Sequence, residues 1–166
     1  DSNIVYGVKG VFMRILVISD SHGNTRNIER AVESQPEANI IIHLGDGADD
    51  IVDLEFVYRD KQFYQVAGNC DWGSSLPLEG ELKVADKTIF FGHGHEYRVK
   101  TNLQQIKMEA KKRNADIVLF GHTHLPITEY DDELYLLNPG SLQYADGTYG
   151  IIDITDAGIS VQIIKV

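Results

Sequence analysis

The chain has 166 residues, which is the length of one domain and enough to bury a hydrophobic core. Hydrophobic residues make up 43% of it, a share that excludes a disordered chain. Its 25 acidic and 15 basic residues give a formal charge of -10, which disfavours long-range attraction to nucleic acid or anionic membranes. No apolar run is long enough to cross a bilayer, and a single cysteine, Cys70, excludes an internal disulfide. These features predict a cytoplasmic protein without a membrane partner.

The first twelve residues are predicted to be a leader, and residues 13–166 a single domain. A chain start at Met13 would lead directly into an apolar strand, Arg14–Ile18. Residues 1–12 begin with an acidic side chain and lack the basic and long apolar segments of a signal peptide. Two interpretations stay open: an upstream translation start or sequence added during cloning, and a genuine β element formed by Ile4-Val5-Tyr6.

The first half of the chain alternates predicted strands with helices. Asn24 is predicted as the N-cap of a helix, and Ile28, Ala31 and Val32 form the apolar stripe of that helix. Pro36 helps to end it. The strands of this half are predicted at residues 14–18, 39–44 and 62–67, a helix or ordered loop at residues 48–56, and a loop at residues 72–78.

The second half contains one clear helix and is otherwise β. Thr101 and Gln104 have the spacing of a capping box, and Leu103, Ile106 and Ala110 follow one helical face. The strands are predicted at residues 81–85, 87–91, 116–120, 127–130, 134–137, 148–154 and 159–164. Alternating β and α units followed by meandering strands predict two mixed sheets packed together, with helices outside.

Five of the predicted strands are followed by turns that contain potential metal ligands. The carboxyl ends of strands in open α/β sheets face the crevice in which ligands bind. Carboxylate, amide and imidazole groups suit borderline-to-hard divalent metals. Seven ligands exceed the need of one tetrahedral ion, but they fit two ions if one carboxylate bridges. Such a pair can hold a hydroxide nucleophile and bind both reacting oxygens of a phosphate ester. The candidates are Asp20, His22, Asp46, Asn69, His93, His122 and His124.

Each of these signals is weak when taken singly. Asp20 could serve a helix cap, and Asp46 could belong to an ordinary turn. Asn69 could occupy a left-handed backbone position, and His93 could be a hydrogen-bonded core histidine. Their number and order along the chain favour a metal site over a series of independent turns.

Together, the five segments closely resemble the five motifs of the calcineurin-like metallophosphoesterases. The resemblance covers essentially everything from Met13 onward, and it is nearest to the small uncapped bacterial and archaeal phosphodiesterase branch, the YfcE type. It implies a four-layer α/β/β/α sandwich, in which two mixed β-sheets are flanked by helices. The segments are Asp20-Ser21-His22, Gly45-Asp46, Gly68-Asn69-Cys70-Asp71, Gly92-His93-Gly94-His95 and Gly121-His122-Thr123-His124.

The resemblance also implies an activity and cofactors. A metal-bridging hydroxide would hydrolyse a small phosphodiester with the help of two divalent ions. The expected metal is Mn, with Fe, Zn, Ni and Co as alternatives. One ion would be held by Asp20, His22, Asp46 and His124, and the other by Asp46, Asn69, His93 and His122, so that Asp46 bridges. His95 would orient a neighbouring ligand or face the substrate.

Cys70 is a departure from the family's pattern. Many members have histidine there, and that histidine faces the leaving group as an acid or transition-state stabiliser. A thiol is a weak hydrogen-bond donor and cannot replace an imidazolium. We therefore expect hydrolysis to depend more on the metals and on a good leaving group. A buried apolar role for Cys70 is the alternative. The catalytic candidates are Asp46, Asn69, Cys70, Asp71 and His95.

Two rival functions share this fold. A protein-binding scaffold, like the metallophosphatase-like subunit of retromer, lacks part of the histidine set, whereas all seven ligand positions are filled here. A DNA nuclease of the superfamily is disfavoured because no accessory domain or broad basic surface is evident. Nucleic acid is therefore not expected as a partner, and a homo-oligomer stays an option.

Overall fold

The computed structural model describes residues 10–166, so the β element considered at residues 4–6 lies outside the described residues. The helices are α1 (Thr25–Ser34), α2 (Val52–Val57) and α3 (Gln104–Lys112). The strands are β1 (Phe12–Ile18), β2 (Ala38–His43), β3 (Gln62–Gln65), β4 (Glu79–Val84), β5 (Lys87–Gly92), β6 (Ile117–Leu119), β7 (Ile127–Asp131), β8 (Leu134–Asn138), β9 (Thr148–Thr155) and β10 (Gly158–Lys165).

The strands form two five-stranded mixed sheets. The first has the order β10-β9-β1-β2-β3, and the second has the order β4-β5-β6-β8-β7. Strands β1, β2 and β3 are parallel in the first sheet, and β5, β6 and β8 are parallel in the second. The remaining strands, β4, β7, β9 and β10, pair antiparallel with their neighbours. The prediction of two mixed sheets is confirmed.

The core consists of three apolar layers, and β1 shows why. Alternate residues of a strand point to opposite faces of the sheet. Ile15 and Val17 pack between the two sheets, whereas Leu16 and Ile18 pack against the helices on the outer face of the first sheet. A third layer joins α3 to the second sheet through Ile106 and its neighbours. The result is the α/β/β/α sandwich predicted from the sequence.

The start of α1 agrees with its prediction. The side chain of Asn24 accepts the N–H of Asn27 at 3.1 Å, and Ile28, Ala31 and Val32 are buried. The cap and the apolar stripe therefore act together to place this helix against the first sheet.

The predicted start of α3 is wrong. The helix begins at Gln104, and the Thr101–Gln104 capping box does not form. Instead, the side chain of Asn102 accepts the N–H of Gln104 at 3.0 Å, because a short polar side chain can bond the backbone two residues ahead and hold a turn. Within residues 10–166, no helix is long and apolar enough to cross a membrane.

Candidate metal centre

All seven predicted ligands meet at one edge of the sandwich, where parallel strands of both sheets end. Turns after strands of the first sheet carry four of them, and turns after strands of the second sheet carry the other three. The contributions are Asp20 and His22 after β1, Asp46 after β2, Asn69 after β3, His93 after β5, and His122 and His124 after β6.

Five of these residues have left-handed backbones. The φ angles are 52° at Asp20, 42° at His22, 58° at Asp46, 69° at His122 and 62° at His124. Such angles are uncommon outside glycine and carry a conformational cost, so they persist only where the surroundings enforce them. Here the N–H groups of Asp20 and His22 donate to the carbonyls of the β2 turn at 3.0 Å. These backbone hydrogen bonds join the turn after β1 to the turn after β2, and they hold the side chains of both turns toward one point.

Asp20 is one of the two fully buried members of the cluster, with His93. Its Oδ2 accepts the Ser19 hydroxyl at 2.5 Å and the His122 N–H at 3.0 Å, and its side chain is fully buried. Its Oδ1 has no hydrogen-bond partner among the described residues. The Nε2 atoms of His124 and His22 lie 3.2 and 3.8 Å from that oxygen. A buried, unpaired carboxylate oxygen facing imidazole nitrogens fits a divalent cation.

A second group of ligand atoms surrounds the ring of His93. Its Nδ1 donates to the carbonyl of Leu44 at 2.7 Å, which leaves Nε2 turned toward the cluster. Nε2 lies 3.0 Å from Asn69 Oδ1, 3.2 Å from His122 Nδ1 and 3.4 Å from Asp46 Oδ2. Two oxygens and two nitrogens of four side chains therefore converge, as the donor set of a borderline metal requires.

Charge and protonation suit metal binding at His122 and Asp46. At His93, burial would lower the pKa but the neighbouring carboxylates raise it, so a bound metal would take the place of a proton there. Burial and the neighbouring His93 lower the pKa of His122 to about 4, so its ring is neutral at neutral pH. Burial alone would raise the pKa of Asp46, but its bonds with His93 and the Cys70 N–H hold that pKa well below its usual range. Neutral imidazole and ionised carboxylate are the forms that bind metals.

Tyr144 is a contributor that the sequence did not predict. Its hydroxyl lies 3.1 Å from Nδ1 of His124, while Nε2 of that histidine faces Asp20. A hydrogen bond at the far nitrogen fixes the orientation of a ligand imidazole. Tyr144 is twenty residues away along the chain, so no local pattern connects it with His124.

Both carboxylate oxygens of Asp71 accept backbone N–H groups. Its Oδ2 accepts the N–H groups of Asp46 and Gly68 at 2.7 Å, and its Oδ1 accepts those of Gly47 and Ala48 at 3.0 Å. Burial would raise its pKa, but these four bonds lower it. The carboxylate therefore joins the turn after β2 to the turn after β3.

Cys70 is exposed, so the alternative of a buried apolar role is wrong. Its Sγ belongs to a group with His22 and Asp46 whose ligand atoms all lie within 4.8 Å of one another. Desolvation and the Asp46 carboxylate raise the pKa of the thiol. Cys70 thus faces the site as a neutral thiol at neutral pH.

His95 sits beside the cluster. Its ring centroid lies 5.4 Å from that of His93, and the side chain is partly buried. Burial and the neighbouring His93 lower its pKa, and its Nδ1 is buried without a hydrogen bond among the described residues.

Comparison with known proteins identifies the family. The sequence model of the calcineurin-like phosphoesterase superfamily domain matches residues 13–157. The chain belongs to this superfamily. Probable metallophosphoesterase YsnB of Bacillus subtilis is 32% identical over 133 residues, which cover 79% of this chain and 76% of YsnB. Phosphodiesterase MJ0936 of Methanocaldococcus jannaschii is 29% identical over 160 residues, which cover 85% of this chain and 93% of that protein.

Solved structures support the fold of this superfamily member. A predicted phosphoesterase from Streptococcus pneumoniae superposes with a TM-score of 0.78 at 24% identity, over 93% of this chain and 90% of the other. Vacuolar protein sorting 29 from Cryptosporidium parvum superposes with a TM-score of 0.72 at 16% identity, over 93% of this chain and 98% of the other. At these identities the likeness concerns the fold. Family membership implies divalent metal ions, and the Asp and His groups of the cluster could hold them.

His43 is a second feature that the sequence analysis missed in this member of the superfamily. It is fully buried, accepts the Gly45 N–H at Nδ1 and contacts the Ser21 hydroxyl at 2.9 Å through Nε2. That hydroxyl donates to Asp50 at 2.6 Å. Burial lowers the pKa of His43 to about 4, so the ring is neutral and connects two of the ligand-bearing turns. A histidine between Ile42 and Leu44 was the available signal, because a polar group on a buried strand needs partners.

A cavity of about 700 Å³ opens beside the ligand cluster of the phosphoesterase. His22 and Asp46 line it on the side of the cluster, and the loop of residues 70–76 lines it elsewhere. Its volume is in the range of pockets that take small molecules.

Proposed function

We propose that the chain is a dinuclear metal-dependent phosphodiesterase that acts on small phosphodiesters in the cytoplasm. The observation that carries this proposal is the convergence of ligand side chains in two adjoining groups, one at the unpaired, buried Oδ1 of Asp20 and one at Nε2 of His93. The activity named for the relative MJ0936 gives independent support for diester substrates.

The proposed division of ligands assigns Asp46 to both ions. Its Oδ2 lies 3.7 Å from Nε2 of His22 and 3.4 Å from Nε2 of His93. One carboxylate oxygen thus lies between the two imidazoles that would serve different ions. The first ion would have Asp20, His22, Asp46 and His124 as ligands, and the second would have Asp46, Asn69, His93 and His122. Manganese is the expected metal.

The ions, when bound, activate water and neutralise charge on the phosphoryl oxygens of the diester. The chain's own residues position this chemistry. Asp71 and His43 hold the turns that carry the ligands. The left-handed backbone conformation of five ligands directs their side chains toward one point. Cys70 lies at the boundary between the cluster and the cavity, but its raised pKa makes it a poor proton donor to a leaving group.

The alternative is a protein-binding scaffold with a metallophosphatase fold. The likeness to vacuolar protein sorting 29 supports it at the level of the fold. The enzyme is favoured because all seven ligand positions are filled and their donor atoms converge. A scaffold has no need for a neutral His122 or an unpaired Asp20 oxygen.

Metal titration and an activity screen test the proposal. The purified protein should bind two divalent ions per chain by calorimetry or anomalous scattering, and it should hydrolyse diesters in a metal-dependent manner. The screen covers phosphomonoesters, cyclic nucleotides and linear diesters. A single tetrahedral ion would contradict the dinuclear site, and metal binding without turnover of any substrate would favour the scaffold.

Asp46→Asn sharpens this test. Replacing the shared carboxylate removes charge from both proposed sites, so it should weaken both binding events as well as turnover. Asp60→Asn, an exposed change of the same type outside the site, is the matched control. Loss of only one ion in Asp46→Asn would show that Asp46 does not bridge.

A further inference from the structure

One residue that lines the cavity beside the ligand cluster, Trp72, has no role in the proposed hydrolysis. Trp72 lines this cavity together with His22 and Asp46. Its side chain is 91% exposed, so the indole is not part of the hydrophobic core. It is also the only tryptophan of the chain. A large aromatic surface in the lining of a cavity that residues of the ligand cluster also line can bind a planar group of the substrate.

The loop that carries Trp72 is held in place at its base. The preceding residue, Asp71, accepts four backbone N–H groups, and its own N–H donates to the carbonyl of Gly68. The N–H of Ser74 donates back to the carbonyl of Asp71 at 3.3 Å, which closes a turn around Trp72. These bonds tie the backbone on either side of Trp72 to the same turns that carry Asp46. Such anchoring lowers the entropy cost of binding a ligand.

The charge of the cavity restricts what can bind there. Asp49 and Asp50 belong to the lining, and none of the described residues that line the cavity is Lys or Arg. A second phosphate on the substrate would therefore be repelled by the carboxylates. Asp49 is exposed and can accept a hydrogen bond from an amino group. The cavity thus suits a group that is aromatic, uncharged and able to donate hydrogen bonds.

We propose that Trp72 stacks against the nucleobase of the substrate, a phosphodiester with one phosphate and one nucleoside. The single diester charge lies at the ligand cluster, and the base lies between the indole and the acidic side of the cavity. This inference rests on the proposed phosphodiesterase function and adds the substrate class to it. Polynucleotides and nucleoside polyphosphates are disfavoured by the same acidic lining.

The test compares two substrates with the same leaving group. The p-nitrophenyl ester of adenosine 5′-phosphate carries a base, and the p-nitrophenyl ester of ribose 5-phosphate does not. Stacking of a base on an aromatic side chain has a typical effect of about 5- to 150-fold. Wild type should prefer the adenosine ester in kcat/KM by a factor in that range. Trp72→Ala should bring the ratio of the two kcat/KM values close to one, because the adenosine ester loses its stacking contact.

Two further variants control this experiment. Trp72→Phe keeps an aromatic face and should retain part of the preference. Tyr130→Ala removes an exposed aromatic ring that does not line this cavity, and it should change neither rate. Equal losses on both substrates in Trp72→Ala, or no preference in wild type, would overturn the inference.

Fluorescence of the sole tryptophan provides a readout that does not need turnover. Adenosine 5′-methylphosphonate should quench the emission of the protein as purified, whereas ribose 5-methylphosphonate should not. Quenching without metal-dependent hydrolysis would uphold the stacking site and reject the phosphodiesterase. Hydrolysis without base preference or quenching would reject the stacking site and leave the phosphodiesterase intact. If neither occurs, both proposals are wrong.

Discussion

The carboxylate of Asp71 accepts the backbone N–H of Asp46 at 2.7 Å. This bond joins the turns that follow two neighbouring parallel strands, β2 and β3. Three more N–H groups donate to the same carboxylate, so neither of its oxygens is left without a protein partner. Through these bonds the residue holds the backbone of Asp46 in position.

Asp71→Asn should destabilise the protein and weaken metal binding together. One acceptor oxygen becomes an amide that faces backbone donors, and leaving such donors unpaired costs about 1–3 kcal/mol. We expect a decrease of this size in the free energy of unfolding measured in urea, with a parallel loss of metal affinity. Asp60→Asn is the exposed control. A variant with normal stability and metal content but no turnover would instead establish a catalytic role for Asp71.

His93→Ala should lose more metal than His95→Ala. Nε2 of His93 lies within 3.4 Å of three candidate ligand atoms, whereas His95 lies beside the cluster with its ring centroid 5.4 Å from that of His93. Metal content after dialysis against a fixed free concentration measures the difference. If both variants lose metal equally, the assignment of His95 to a supporting position is wrong.

Because position 70 is a cysteine, Cys70, we expect the rate of hydrolysis to depend steeply on the pKa of the leaving group. The raised pKa of the thiol leaves no effective acid at this position, and general acid catalysis is typically worth about 10²–10⁴-fold. Aryl diesters should therefore react better than alkyl diesters, and kcat/KM plotted against leaving-group pKa should show this. Cys70→His should help poor leaving groups most.

Cys70→Ser is the control for this series, because a hydroxyl is also a poor acid near neutral pH. It should change the rates little. A large loss in Cys70→Ser with normal metal content, or a flat dependence in wild type, would mean that Cys70 or another residue supplies the proton. A loss of metal would identify Cys70 as a ligand alongside His22 and Asp46.

His43 should make the metal-free protein less stable as the pH falls. Burial lowers its pKa from 6.5 to about 4, so between these values the unfolded chain binds a proton that the folded chain does not. The contribution of the buried, neutral His43 to the free energy of unfolding is complete above pH 6.5. It is lost as the pH falls toward 4, by at most about 1.4 kcal/mol per pH unit. His43→Gln cannot titrate. The difference in unfolding free energy between wild type and His43→Gln, measured in a chelator, should shrink from pH 7 to pH 4. A difference in unfolding free energy that stays constant between pH 7 and pH 4 would show that the pKa of His43 is not lowered in the folded protein.

Short-range patterns in the sequence were sufficient to locate the candidate site and the layers of the fold. Apolar strands ending in Gly, Asp and His are local features, and the parallel strands of an α/β fold bring such ends to one edge. The N-cap at Asn24 was equally local, and it formed as predicted. Seven ligand candidates were found in this way, because each carries its own side-chain chemistry and its place at a strand end.

Only the tertiary structure decided how those ligands are supported. Asp71 reaches a turn twenty-five residues away, and Tyr144 reaches His124 across twenty residues. His43 was hidden in an apolar strand until its contacts with Ser21 and Gly45 were known. Contacts of this kind depend on how two sheets and their turns pack, and side-chain periodicity reports only which face of one element is apolar. For the same reason, the presence of Trp72 in the lining of the cavity beside the ligand cluster follows from the folded loop and not from its neighbours in sequence.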